Sequence, residues 1–231
     1  MKYLILSILL ALFAENAISQ AFIGRKPTLS VGFQLTDPRG DFEDQIGKLP
    51  HGINASISKP FLGLPLEYGA GFAWNSIASE SRDIAIPDQF GNEIPSHLKL
   101  NGNAYTYYVH GRLRPFNGNV RPYGELIAGV KNYSVKSKLY TVDEAGNTSG
   151  DPFTDVSDRN FSWITGWAAG IQVRLMSGLF LEGRFEKLNG EETRYIDPST
   201  IQISRDGSYT YELTESDTDQ FTYSIGLAFS F

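Results

Sequence analysis

Three histidines are the side chains in this sequence best suited to acid–base chemistry: His51, His97 and His110. A histidine acts as a general base when it lies within hydrogen-bond reach of a nucleophile such as serine and is oriented by a third group. None of the three begins a His-x-Ser sequence, and a partner for His110 would have to come from another strand. We therefore expect no enzyme activity, no cofactor and no metal centre.

Nine charged residues alternate with apolar ones and so share the polar face of their segments. Five are basic and four are acidic: Glu67, Arg112, Arg114, Glu125, Lys131, Arg174, Glu182, Arg184 and Glu186. Such residues are rare inside a membrane protein unless they are paired or hydrated. If the segments that carry them close into a membrane-spanning barrel, as their pattern predicts below, these residues form either a polar lumen that conducts ions or an ion-pair core that fills the barrel interior.

Carboxylates also cluster in three polar stretches, 37–44, 151–158 and 215–219. Calcium requires several oxygen ligands, and none of these stretches has the spacing of a dedicated calcium loop. Solvated loop charge is the interpretation that we favour. The tripeptide Arg39-Gly40-Asp41 is too short to indicate adhesion on its own.

Eight segments with apolar residues at every second position would carry these side chains. They are 29–35, 51–59, 66–76, 100–114, 123–139, 161–175, 179–187 and 221–231, and the fifth has the weakest phase. Apolar residues that recur at every second position are typical of a β-strand with one apolar and one polar face. After residue 13, no apolar run approaches the roughly 18 residues that a membrane helix needs. A structure that spans the membrane would therefore be a closed barrel. The fold class that we predict is an all-β, eight-stranded antiparallel transmembrane barrel, whose narrow interior favours the closed ion-pair core.

The connections between these segments alternate between short and long. The short ones are 61–65, 115–121 and 176–178, and the long ones are 36–50, 77–99, 140–160 and 188–219. This predicts short periplasmic turns, long extracellular loops and two periplasmic termini. Within the last loop, Asp206-Gly207 between 201–204 and 209–211 predicts a protruding β-hairpin, with a weaker signal at 146–147.

Composition narrows the class further. A lysine followed by the apolar run 3–13 predicts a signal peptide over 1–19, which leaves a barrel domain over 20–231. The net charge of −6 argues against a nucleic-acid partner. The absence of cysteine excludes disulfides, thiolate chemistry and a lipid anchor. The mean hydropathy of −0.22 suits strands in which polar inward residues dilute the apolar outward ones.

The predicted signal peptide, eight strands and alternating loops resemble the OmpA/OmpX-like family of small outer-membrane barrels, often labelled porin-family proteins. The resemblance covers nearly all of 20–231. Ser224, Gly226, Phe229 and Phe231 resemble the C-terminal signal by which such barrels are assembled. The resemblance implies location in the outer membrane of a Gram-negative bacterium. The partners would be membrane lipid, lipopolysaccharide and the assembly machinery.

Members of that family include adhesion and structural proteins, small channels, secretion components and a few enzymes, so the resemblance leaves the role open. We expect a structural or surface-interaction role through the extracellular loops, with an external protein pairing at the hairpin edge. One alternative is a small pore for ions or solutes through the charged lumen. Another is membership of a secretion or motility complex.

Overall fold

The computed structural model describes the chain from residue 25 onward, with gaps in the loops. The described residues are 25–40, 49–61, 64–87, 93–142, 148–191, 193–196, 202–203, 209–210 and 213–231. Side chains are described in these ranges except over 78–100, 135–160 and 193–216. The predicted signal peptide therefore lies outside the described residues.

Twelve β-strands occur in the described ranges. They are β1 (Thr28–Pro38), β2 (His51–Pro60), β3 (Leu66–Pro87), β4 (Glu93–Leu113), β5 (Val120–Val142), β6 (Thr148–Met176), β7 (Leu179–Gly190), β8 (Thr193–Ile196), β9 (Gln202–Ile203), β10 (Tyr209–Thr210), β11 (Leu213–Ser216) and β12 (Gln220–Ser230). Eight of them form a closed barrel in the order β1-β12-β7-β6-β5-β4-β3-β2. Every neighbouring pair around the barrel is antiparallel, which confirms the predicted fold class. No helix among the described residues is long and apolar enough to cross a membrane.

The two faces of the barrel strands differ as the alternation predicted. In β1, Ser30 and Gln34 are buried in the lumen, whereas Val31 and Phe33 are about half exposed on the outside. The same alternation continues around the barrel and leaves a belt of exposed Leu, Ile, Val and aromatic side chains. A continuous apolar belt around a polar interior suits hydrocarbon rather than water.

The end of the barrel with the connections 61–65, 114–119 and 177–178 is called here the turn end, and the opposite end is called the loop end. At the turn end, β6 and β7 are joined through Ser177-Gly178. Gly178 has φ +78°, a conformation in which a side chain would be strained. The loop end carries the connections that include 39–50, 88–92, 143–147 and 191–219.

Four strands continue past the loop end, where we had predicted loops. The predicted loops 77–99 and 140–160 are wrong over most of their length, because β3 and β4 pair as far as Pro87↔Glu93 and β5 and β6 as far as Val142↔Thr148. The barrel itself stops lower, since β2 meets β3 only up to His51↔Ser76. A bulge between Ser76 and Ala78 marks the transition. The part of β3–β6 beyond this level is called the projecting wall.

The last long connection forms the hairpin that the sequence predicted. Tyr209 pairs with Ile203 and Thr210 with Gln202, although the turn between them lies outside the described residues. Closer to the barrel, β8 pairs with β11, and β8 lies against β6. The fourth loop therefore stands beside one edge of the projecting wall.

Candidate functional site

The centre of the lumen is a row of alternating charges across three strands. Arg112 on β4 is the register partner of Glu67 on β3 and of Glu125 on β5. Its Nε donates to Oε1 of Glu125 at 2.6 Å, and its NH1 lies 3.8 Å from Oε2 of Glu67. The guanidinium carbon lies 4.2 Å from the ring centroid of Tyr123. All these groups are buried, so the row is a buried ion-pair core.

Two further arginines extend this row. Arg184 on β7 donates through Nε to Oε2 of Glu125 at 3.0 Å, and its NH2 lies 2.5 Å from Oε2 of Glu186. Arg114, next to β4, places its NH2 2.5 Å from Oε1 of Glu67. Each of the carboxylates Glu67 and Glu125 thus lies between two guanidinium groups. Removing Arg112 would therefore still leave Glu67 beside Arg114 and Glu125 beside Arg184.

An amide connects Glu182 to the same network. Gln172, fully buried, donates through Nε2 to Oε1 of Glu182 at 2.9 Å. Its Oε1 accepts a hydrogen bond from NH1 of Arg114 at 3.4 Å. Arg25, ahead of β1, donates to the backbone carbonyl of Arg114 at 2.8 Å. Side chains from β3, β4, β5, β6 and β7 therefore meet in the turn-end half of the lumen.

Neutral polar side chains occupy the loop-end half around one lysine. Lys131 is fully buried and donates to the amide oxygen of Gln220. The amide of Gln220 donates in turn to Thr222 at 3.3 Å, and Thr222 contacts Thr36. The chain of hydrogen bonds continues through residues of β1, β2 and β3: Gln34, Asn54 and Asn75. Lys131 therefore has an amide, and not a carboxylate, as the hydrogen-bond acceptor of its buried ammonium group.

Two arginines at the turn end differ from the sequence prediction. Arg174 was placed in the lumen, but it is exposed, and its guanidinium carbon lies 5.6 Å from the ring centroid of Phe180. It precedes a register shift between Arg174 and Met176, where β6 leaves the regular ladder. The sequence predicts a turn at Arg121, but this residue lies in β5, is buried, and stacks with its guanidinium carbon 3.9 Å from the centroid of the same ring. Extending the β5 alternation two residues back from Tyr123 would have identified it.

His110 is the only histidine among the described side chains that approaches a serine and a carboxylate. Its Nε2 lies 3.0 Å from Oγ of Ser58 and 3.9 Å from Oε1 of Glu125. A hydrolytic triad needs the carboxylate on the other ring nitrogen, and Nδ1 of His110 has no hydrogen-bond partner here. All three side chains are buried in the lumen. His51 is exposed, and the side chain of His97 lies outside the described residues.

Most of the three acidic stretches lies outside the described side chains, namely 41–44, 151–158 and 215–216. Asp37 pairs with Arg39 at 2.5 Å, and Asp41 lies outside the described residues. Where side chains are described, no group of three His, Cys, Asp or Glu residues is placed to hold an ion.

The chain is similar in fold to solved outer-membrane proteins. Neisserial surface protein A (NspA) is 10% identical, with a TM-score of 0.53 over 89% of this chain and 97% of that chain. Ail, the attachment invasion locus protein of Yersinia pestis solved with the heparin analogue sucrose octasulfate, is 15% identical, with a TM-score of 0.45 over 90% and 99%. The outer membrane protease OmpT of Escherichia coli is 11% identical, with a TM-score of 0.42 over 93% and 100%.

No protein-family model and no curated protein sequence matches the chain. At an identity of 10% the likeness to NspA shows the fold alone. The closed eight-stranded barrel, its apolar outer belt and its polar lumen agree with that likeness. The chain therefore has the fold of the small outer-membrane β-barrels of the OmpA/OmpX type.

Proposed function

We propose that this protein is an integral outer-membrane barrel of a Gram-negative bacterium that acts at the cell surface through its projecting wall. The turn end and both chain termini of the barrel domain face the periplasm, and the loop end faces the exterior. Phospholipid and lipopolysaccharide cover the apolar belt. The observation that carries this proposal is the continuation of β3–β6 beyond the level at which β2 stops. A function confined to the lumen would not need it.

The edge of β3 supplies a physical mode of binding. From Ala78 to Pro87, β3 pairs with β4 on one side, and no described strand pairs with its other side. An unpaired edge presents backbone donors and acceptors to which an extended segment of another protein can add as a strand. The corresponding edge of β6 is approached by β8, so among the described strands β3 has the open edge.

A pore is the weaker proposal for this lumen. Most of the charged side chains that could conduct ions form ion pairs, and Lys131 donates to the amide oxygen of Gln220. Arg112, Arg114 and Lys131 are each only 1% exposed. An eight-stranded barrel holds side chains or one small ligand in its interior. A role as scaffold in a secretion or motility complex would use the same projecting wall and remains a variant of the surface proposal.

Assembly belongs to the same proposal. Gly226 on β12 faces Gly32 of β1 in register, and a side chain at 226 would lie 2.2 Å from the Val31 carbonyl. Phe229 and Phe231 are exposed on the outer face. With Ser224, these residues of the closing strand form the signal that we propose the outer-membrane assembly machinery recognises.

The test is a truncation of the β3–β4 part of the projecting wall, which leaves β5 and β6 in place. Residues 79–101 are replaced by Asn-Gly, a pair that favours tight hairpins, so that Ala78 and Gly102 stay paired below the turn. Heat-modifiable gel migration checks that the barrel folds. Adherence of Escherichia coli displaying the protein to immobilised fibronectin, laminin and cultured epithelial cells is then measured. We expect the truncation to abolish adherence that the full chain confers.

The matched control deletes 201–211 in the fourth loop and leaves the wall intact. Adherence should survive this deletion. Equal adherence of the wall truncation and the full chain would contradict the role of the β3 edge. Steady single-channel openings of the refolded barrel in planar bilayers, altered by Arg112 or Glu182 substitution, would instead support the pore.

A further inference from the structure

A groove on the outer face of the barrel has no role in the surface function proposed above. It has a volume of about 730 Å³ and crosses β3, β4, β5 and β6 toward the turn end. Gly111 and Gly124 form its floor, and its walls include Tyr68, Leu113, Leu126 and Trp167. A volume of this size lies within the roughly 300–1,000 Å³ that ligand pockets occupy.

The two floor glycines have no local structural reason to be glycine. Neither has a positive φ, which in the described chain occurs at Gly40 and Gly178 alone. A Cβ added at Gly111 would meet nothing within 4 Å, and at Gly124 it would meet one carbonyl oxygen at 4.0 Å. By contrast, a Cβ at the lumen-facing Gly71 would lie 2.2 Å from the ring of Tyr108.

Glycine in a strand is costly and often marks a place where a ligand or another backbone approaches closely. Lipid-facing positions of a barrel ordinarily carry apolar side chains, which fill the belt. Because these two glycines on neighbouring strands carry no side chains, this part of the outer barrel surface stays open as a groove. The register places them diagonally, since Gly111 pairs with Leu126 and Leu113 pairs with Gly124. The depression therefore continues from one strand to the next.

The surroundings of the groove favour a lipid. Tyr68, Leu126 and Trp167 are 52%, 74% and 43% exposed and stand along its sides within the apolar belt. Lys59, exposed on β2, is the register partner of Tyr68 at the turn end. A lysine at the membrane surface attracts lipid phosphate, and an apolar channel beside it suits the attached chain.

We propose that this groove binds one acyl chain of a glycerophospholipid, whose phosphate is held near Lys59. The chain lies over Gly111 and Gly124, and Trp167 closes the end away from the headgroup. This site is independent of the projecting wall, because its residues belong to the turn-end half of the barrel. The surface proposal could fail without affecting it.

Native mass spectrometry of the full barrel, refolded in detergent and titrated with dimyristoylphosphatidylglycerol, tests the proposal. The wild-type barrel should retain one lipid in a saturable step. Gly111→Leu/Gly124→Leu fills the groove and should weaken that binding by at least about tenfold, which is the loss of roughly 1.4 kcal/mol of binding free energy. Lys59→Gln should weaken it by a smaller factor without changing the fold.

The matched control is Gly183→Leu. Gly183 faces outward on β7, and an added Cβ there also meets nothing within 4 Å, but it does not line the groove. This variant should retain the lipid as the wild type does, and heat-modifiable migration should show all variants folded. Equal lipid retention by the groove-filling variant would overturn the proposal. A wild-type dimer that the same variant converts to a monomer would overturn it too, by assigning the groove to a second copy.

Discussion

Replacing Arg112 with leucine should be among the most destabilising single substitutions in the barrel. The side chain is 1% exposed, donates to Glu125 at 2.6 Å and stacks 4.2 Å from the ring of Tyr123. Removing one partner of a buried ion pair costs about 3–5 kcal/mol, because the remaining charge stays buried. Here Arg184 still contacts Glu125, so we expect a loss near 3 kcal/mol, at the lower end of that range.

The assay is urea unfolding of the barrel refolded in detergent or lipid vesicles, followed by tryptophan fluorescence. Arg174→Leu is the control, because Arg174 is exposed and should change the free energy of unfolding by less than about 0.5 kcal/mol. The double variant Arg112→Leu/Glu125→Leu leaves Glu67 with Arg114 and Arg184 with Glu186. It should therefore cost less than the sum of its single substitutions, by about 2 kcal/mol or more. Strict additivity, or an Arg112→Leu cost below 1 kcal/mol, would refute the interpretation of the lumen as a mutually compensated core.

Four other single substitutions and one double variant test different layers of the barrel by the same unfolding measurement. Gly71→Ala should cost about 1–3 kcal/mol, because the added Cβ would lie 2.2 Å from a tyrosine ring, whereas Gly111→Ala, which meets open space, should leave stability unchanged or raise it. Gln220→Leu should cost roughly 3 kcal/mol, because it removes the acceptor of a buried ammonium group, and adding Lys131→Met should recover most of that loss. Arg39→Ala should cost less than about 1 kcal/mol, because its ion pair is exposed, and molar salt should reduce the effect further; a larger cost would show that the loop-end rim is part of the folded core.

The sequence predicted the barrel strands better than the wall above them. Inside the membrane, one face meets lipid and the other the lumen, so a period of two appears in the residue types. Beyond the loop end this contrast is lost, and a stretch such as Ser79-Glu80-Ser81-Arg82 has the composition of a loop although it pairs with β4. Backbone pairing across the hairpin holds these strands, and a single sequence does not display that pairing.

The ion pairs show the same limit in the lumen. Alternation indicated that Glu67, Arg112 and Glu125 face inward, but their contacts depend on the register between strands, which alternation does not fix. Arg174 has the inward phase and is the register partner of the buried Phe180, yet it is exposed at the turn end and lies outside the network. The outward glycines at 111 and 124 carry no periodic signal, and the groove became visible only when four strands were placed side by side.

The pairing of β1 with β12 constrains the order in which the barrel can form. Thr28 and Ser230 are register partners, so this seam joins positions about 200 residues apart, and closing such a loop costs about 5 kcal/mol of chain entropy before any contact is made. The hairpins on either side close over far shorter distances and can form first. The seam is therefore expected to close last. Until then the chain is an open sheet with two unpaired edges, and whatever inserts it into the membrane must shield both edges at once.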